Sequence, residues 1–120
     1  MNRWVLLEHK ILTGNKIDIH YDFLVEAKLD CLTWKLYEIP SINGGFVEIG
    51  KQPNHRLVWL SRVEHQLSDN RGLVKRIDYG TYIKMSFVLD PLEYKFILRG
   101  NLLRGLMTIG DKFCQLNKDD

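Results

Sequence analysis

An all-β fold, a compact β-barrel with at most short helical turns, is what this sequence predicts. Three observations carry that prediction. Strand-sized segments recur at short intervals between turn signals, several of them alternate apolar and polar residues, and no stretch sustains the 3.6-residue period of a long helix. At 120 residues with 45% hydrophobic content, including 3 Trp, 5 Phe and 5 Tyr, the chain can fill one core. A single domain is expected over residues 1–110, followed by a polar tail over 111–120, because no linker, repeat or low-complexity segment divides the sequence.

Arg3 to His9 reads as the first strand, with Val5 and Leu7 alternating against Leu6 and Glu8, and the polar loop Thr13-Gly14-Asn15-Lys16 turns the chain back. His9 is thereby placed near a strand end. Asp18 to Glu26 has the clearest alternation: Ile19, Tyr21, Phe23 and Val25 take one face, and Asp18, His20, Asp22 and Glu26 take the other. Cys31 to Tyr37 is a third strand, in which Leu32, Trp34 and Leu36 share a side, so Trp34 belongs to the core. Pro40 to Gly45 is a loop by its breakers, Phe46 to Ile49 a short strand, and Gly50 to Asn54 a second break.

His55 to Leu60 fits a short helix and a strand equally well. Ser68 to Gly72 is turn chemistry, Leu73 to Asp78 a strand, Tyr79-Gly80 the next turn, and Thr81 to Leu89 extends with a kink near Ser86. After Asp90-Pro91-Leu92-Glu93 come an alternating strand from Tyr94 to Arg99, a reversal at Gly100-Asn101 and a strand from Leu102 to Ile109. The tail from Lys112 is expected to fray.

A net charge of +2 marks no polyanion binder globally, but the charge is uneven. Lys51, Arg56, Arg62, Arg71, Lys75 and Arg76 meet only Glu64 and Asp69 in one window, which leaves the remainder of the chain acidic. Cys31 and Cys114 have no metal-ligand spacing and are too few for a disulfide framework, so both read as reduced thiols. No apolar run reaches the ~18 residues of a membrane span, and Met1-Asn2-Arg3-Trp4 leads straight into a strand pattern, so a cytoplasmic monomer with no membrane partner is expected.

On one strand, side chains two residues apart point the same way, so His20 and Asp22 can close on a single ion or phosphate. On strand statistics the pair is also what a water-facing antiparallel sheet shows. His9 and His55 supply further candidates, and two imidazoles with one carboxylate suit Mn²⁺, Zn²⁺ or Fe²⁺ better than the all-oxygen ions Mg²⁺ and Ca²⁺. His55, next to Arg56, can serve as a proton donor or as a cation at a phosphate. Arg71, Lys75 and Arg76 fit a solvated hairpin, but Trp59 in the same window adds the aromatic that stacking on a nucleic-acid end requires. No Ser-His-Asp set, Gly-rich phosphate loop or CxxC is present, which leaves acyl transfer, nucleoside triphosphate hydrolysis and thiol redox exchange without support.

Taken together the motifs resemble the 3′-phosphoesterase domain of bacterial DNA ligase D and its short stand-alone relatives. Leu7-Glu8-His9 matches a first-strand histidine, His20-Tyr21-Asp22-Phe23 with Glu26 the central motif, and Thr33-Trp34 the next. Asn54-His55-Arg56-Leu57 matches a later histidine, Arg71-Gly72-Leu73-Val74 with Gly80-Thr81-Tyr82 a following motif, and Gly100 to Gly105 a late hairpin. The resemblance runs from about Trp4 to Ile109.

It implies a β-barrel with a Mn²⁺-dependent site, Zn²⁺ being the alternative ion. The implied activity removes a 3′-phosphate or a 3′-terminal ribonucleotide, so that a ligase or polymerase partner meets a clean 3′-OH in DNA repair. His9, His20 and Asp22 would hold the metal, His55 and His20 would be the catalytic histidines, and Arg56, Trp59, Arg71 and Arg76 would face the substrate. Three positions depart from the family pattern: Leu24 replaces an arginine, Pro53-Asn54 an acidic pair, and Trp59 a tyrosine. Losing the arginine removes a bidentate phosphate clamp whose bonds are worth ~1.5–3 kcal/mol each, for which Arg56 is the candidate substitute. Two other readings follow: a non-catalytic barrel that binds nucleic-acid ends or a repair partner through an impaired site, and an interaction domain whose polar face is simply wet.

Overall fold

Two strands open the chain, β1 (Arg3–Thr13) and β2 (Lys16–Glu26), joined by Gly14 and Asn15. Gly14 has φ +61°, the left-handed backbone that a type II′ hairpin places at its first central residue. A two-residue loop allows one antiparallel register, with Thr13 opposite Lys16; the same register sets His9 opposite His20 and Trp4 opposite Val25. His9 is therefore in mid-strand, four residues before the end of β1, rather than near its end, because Lys10 to Thr13 continue the ladder.

The computed structural model describes residues 2–67 and 71–119, with the side chain of Met85 excepted. Beyond the first hairpin the elements are β3 (Cys31–Leu36), β4 (Val47–His55), a single-turn 3-10 helix (Leu57–Leu60), β5 (Glu64–Gln66), β6 (Leu73–Leu89), β7 (Leu92–Arg99), β8 (Arg104–Ile109) and β9 (Phe113–Asn117). The ladder runs β1-β2-β3-β4-β9-β8-β7-β6, and β6 pairs back onto β1, so eight antiparallel strands close into a ring. β5 pairs with the first residues of β6 alone. No helix among the described residues is long and apolar enough to cross a membrane.

Several local expectations are corrected by long-range pairing. β4 runs through the expected break at Gly50 to Asn54, and Pro53 lies where the β3–β4 register shifts between Cys31 and Thr33, an irregularity that tolerates a residue without an N–H. The ambiguous segment from His55 divides into a strand end and the 3-10 turn. β6 also continues through Tyr79-Gly80 instead of turning. A Cβ at Gly80 would collide with the Arg99 carbonyl, so glycine there lets β6 press against the end of β7 as it exchanges β1 for β7 as partner. Residues Phe113–Asn117, expected to fray, form β9, because Cys114 and Leu116 are apolar plugs of the ring interior. The kink near Ser86 is present as a register shift between Lys84 and Ser86. Ser68, Asp69 and Asn70, the centre of an expected turn, lie outside the described residues.

Alternation along β1 and β2 feeds two separate cores. Trp4, Leu6, Phe23 and Val25 point into the ring, where they join Trp34, Phe96, Leu98, Met107 and Leu116. Val5, Leu7 and Leu24 point outward and are covered by Leu60 of the 3-10 turn, with Val74 and Cys31 completing a second, smaller core. This outer roof is why β1 and β2 are apolar on both faces in their first and last halves respectively. Both cysteines are free and buried; burial pushes the Cys31 thiol up to about 11 and the Cys114 thiol up to about 12, so neither offers a thiolate at neutral pH.

Candidate metal centre

The outer face of the first hairpin changes character along its length. On β1 the outward sequence is Val5, Leu7, His9; on β2, read from the paired end, it is Leu24, Asp22, His20. The register brings His9 and His20 directly opposite each other, and the two-residue period brings Asp22 onto the same face. The three polar groups thus sit where the outer core stops. Each histidine side chain is about 15% exposed and Asp22 about 12%.

Their donor atoms converge. His9 Nδ1 lies 3.2 Å from His20 Nε2, His20 Nε2 lies 3.4 Å from Asp22 Oδ1, and His9 Nδ1 lies 3.9 Å from Asp22 Oδ2. Ions that bind nitrogen and oxygen at ~2.0–2.2 Å hold adjacent donors ~3–3.5 Å apart; the 3.2 and 3.4 Å pairs fall in that range and the 3.9 Å pair lies just outside it, so this His/Asp group could hold one divalent ion after a small side-chain adjustment. The remote nitrogen of His9 is also occupied: Nε2–H donates to the Arg71 carbonyl at 2.7 Å, which leaves Nδ1 as the nitrogen with a lone pair. Two imidazole nitrogens and a carboxylate match the preferences of Mn²⁺, Zn²⁺ and Fe²⁺, and they leave coordination positions open.

Beside this group is a cleft of about 200 Å³. His9, Asp22, His55, Trp59 and Arg71 line it, over a floor of Leu7, Leu67 and Val74 from the outer core. His55 reaches it from the last residue of β4, and its Nδ1–H donates to the Pro53 carbonyl at 3.1 Å, leaving Nε2 as the nitrogen able to meet a ligand. Trp59, on the 3-10 turn, packs against the outer core; Arg62 lies over its ring at 4.9 Å and His65 stands edge-on at 5.4 Å, so one indole face already carries a cation. Of the residues expected to face a substrate, Trp59 and Arg71 reach the cleft, whereas Arg56 and Arg76 do not line it. Arg56 is exposed, with its carbonyl taken up by Cys31 Sγ at 3.9 Å, and Arg76 stacks over Tyr79 at 4.1 Å.

Glu26, the last residue of the central motif, stands apart from the centre. Arg3 clamps its carboxylate through Nε at 3.1 Å and Nη2 at 2.7 Å, and this guanidinium holds the carboxyl below its ordinary range. Leu24 is fully buried in the outer core. Sequence reasoning missed the Arg71 carbonyl, since a main-chain acceptor leaves no mark in the residue type; the glycine that follows it was the one available sign of a special backbone there. The chain matches no family model and no curated protein sequence.

Proposed function

We propose that this protein is a metal-dependent phosphoesterase that clears nucleic-acid 3′ ends, a relative of the 3′-phosphoesterase domain of DNA ligase D, with Mn²⁺ as its ion. The observation that carries the reading is the convergence of His9 Nδ1, His20 Nε2 and the Asp22 carboxylate at the edge of a cleft that also contains His55 and Arg71. A bound divalent ion would polarise the phosphoryl oxygens and lower the pKa of a water. The chain's own residues would do the rest. Arg71 would hold the terminal phosphate by charge-assisted hydrogen bonds, in place of the clamp that Leu24 cannot provide from within the outer core. His55, held in one orientation by the Pro53 carbonyl, would present Nε2 to the phosphate and, when doubly protonated, stabilise its charge or supply a proton to the leaving oxygen.

Incubation with Mn²⁺ and a primer ending in a 3′-phosphate is expected to release inorganic phosphate, and His20→Ala or Asp22→Ala to abolish the release. Equal inertness of wild type and both variants across Mn²⁺, Zn²⁺ and Co²⁺ refutes the catalytic reading.

Leu24 favours a second reading. With an apolar, fully buried side chain at the family's arginine position, the same fold would bind a nucleic-acid end or a repair partner without turnover. Binding to a primer end that persists in chelator and falls steeply with salt supports this reading over the enzyme.

A further inference from the structure

The Arg71 main chain touches a candidate ligand, and the next residue shows how it gets there. Gly72 has φ +105°, and a Cβ on it would lie 2.3 Å from the Lys10 carbonyl oxygen. No side chain fits at this position without pushing β6 away from β1. The bend therefore sits tight against β1, one residue from His9, as β6 begins its pairing with Leu73 opposite Lys10 and Val74 opposite His9. The Gly72 carbonyl in turn accepts the Leu67 N–H at 2.8 Å, which fixes Gly72 from its other side.

We propose that the Arg71–Gly72 bend is a positioning element for the metal centre: its carbonyl locks His9 in the tautomer whose Nδ1 faces the ion. This rests on the His9, His20 and Asp22 group taking up a divalent ion, as the phosphoesterase reading requires. A carbonyl only accepts, so at 2.7 Å the proton of neutral His9 belongs on Nε2. Nδ1 is then an acceptor at 3.2 Å from His20 Nε2, and without metal the proton between them belongs to His20. Ion binding must move that His20 proton from Nε2 to Nδ1, while His9 keeps its tautomer throughout. One histidine is preset and the other switches.

The test is long-range ¹H–¹⁵N NMR of the full-length protein at a pH where both rings are neutral, with and without Zn²⁺, together with Zn²⁺ affinity by chelator competition. His9 should carry its proton on Nε2 in both states, and His20 should exchange Nε2–H for Nδ1–H when Zn²⁺ binds. Gly72→Ala, which displaces the carbonyl, should weaken Zn²⁺ binding by about 10–100-fold, the range typical of losing an outer partner of a metal-bound histidine. Arg71→Ala, which keeps the carbonyl and removes only the side chain, should leave affinity within about threefold while impairing capture of the 3′-phosphate. A metal-free His9 protonated on Nδ1, or a folded Gly72→Ala protein with wild-type Zn²⁺ affinity, overturns the proposal; the wild-type tautomer decides alone should Gly72→Ala not fold. Phosphate release by a protein whose His9 carries its proton on Nδ1 refutes the positioning role and spares the reaction. Zn²⁺ uptake with the stated tautomers but no phosphate release does the reverse.

Discussion

Asp22 and Asp78 are both acidic residues withdrawn from water, at 8% and 3% exposure of the whole residue, and they are satisfied in opposite ways. Asp78 accepts four main-chain N–H groups: Tyr79 at 2.9 Å, Asn101 at 3.1 Å, and Leu102 and Leu103 at 2.8 Å each. It points inward because the register of β1 and β6 shifts at Leu6 and Leu7, which turns Asp78 toward the reversal between β7 and β8. Every lone pair there has a fixed amide partner, so nothing remains for a ligand. Asp22 faces two imidazole nitrogens at 3.4 and 3.9 Å, longer than good hydrogen bonds, beside an open cleft. A carboxylate with close, numerous amide partners holds a fold together; one with loosely spaced nitrogen partners and space in front of it has lone pairs left over for a ligand.

The contrast can be broken at three points, taken from the largest effect down. Asp78→Ala should cost about 3 kcal/mol, because it takes the acceptor from four main-chain N–H groups at once, one buried and three partly buried, at ~1–3 kcal/mol for each group left unmet and less where water can reach it. Chemical denaturation measures this, and a loss under 1 kcal/mol would show that the reversal does not depend on the acid. Asp22→Asn should behave differently, folding normally and failing to bind metal. With Mn²⁺ at a hundredfold excess over its dissociation constant, wild type should gain about 2.7 kcal/mol by linkage and the variant nothing. An equal gain in both proteins would remove Asp22 from the centre.

The third and smallest effect concerns Glu26, an acid committed to an ion pair with a partly exposed arginine. Its carboxyl is held below the ordinary value of 4.5, chiefly by the Arg3 side-chain hydrogen bonds. A lowered folded value means that the pair's contribution is fully present above pH 4.5 and fades as the pH falls through the folded value. Wild type should therefore exceed Glu26→Gln by under ~1 kcal/mol at pH 7, and the gap should narrow on acidification. Parallel pH profiles for the two proteins would assign Glu26 no role in acid stability.

Part of the candidate site is legible in the residues alone. The period of two on β2 puts His20 and Asp22 on one face, and the two-residue turn Gly14-Asn15, once recognised, fixes His9 opposite His20 by counting. The strands with strict alternation were equally plain, and Trp34 is buried as its neighbours required. The boundaries that differ are those where a local breaker yields to a distant partner. Pro53 is absorbed at a register shift, Gly80 bends a strand instead of ending it, and the polar-looking tail is drawn into the ring by Cys114 and Leu116.

By itself, then, the sequence determined the all-β class and the placing of His20 and Asp22 on one side of a single strand. These depend on residues within one strand or across one tight turn, where alternation and loop length leave few options. Only the tertiary structure decided that a second core roofs the outer face, that Asp78 gathers the amides of a reversal more than 20 residues away, and that the Arg71 carbonyl rests on His9. Those contacts join main-chain groups and side chains far apart along the chain, and main-chain groups are alike at every residue, so their partners are fixed by closure of the ring rather than by residue type.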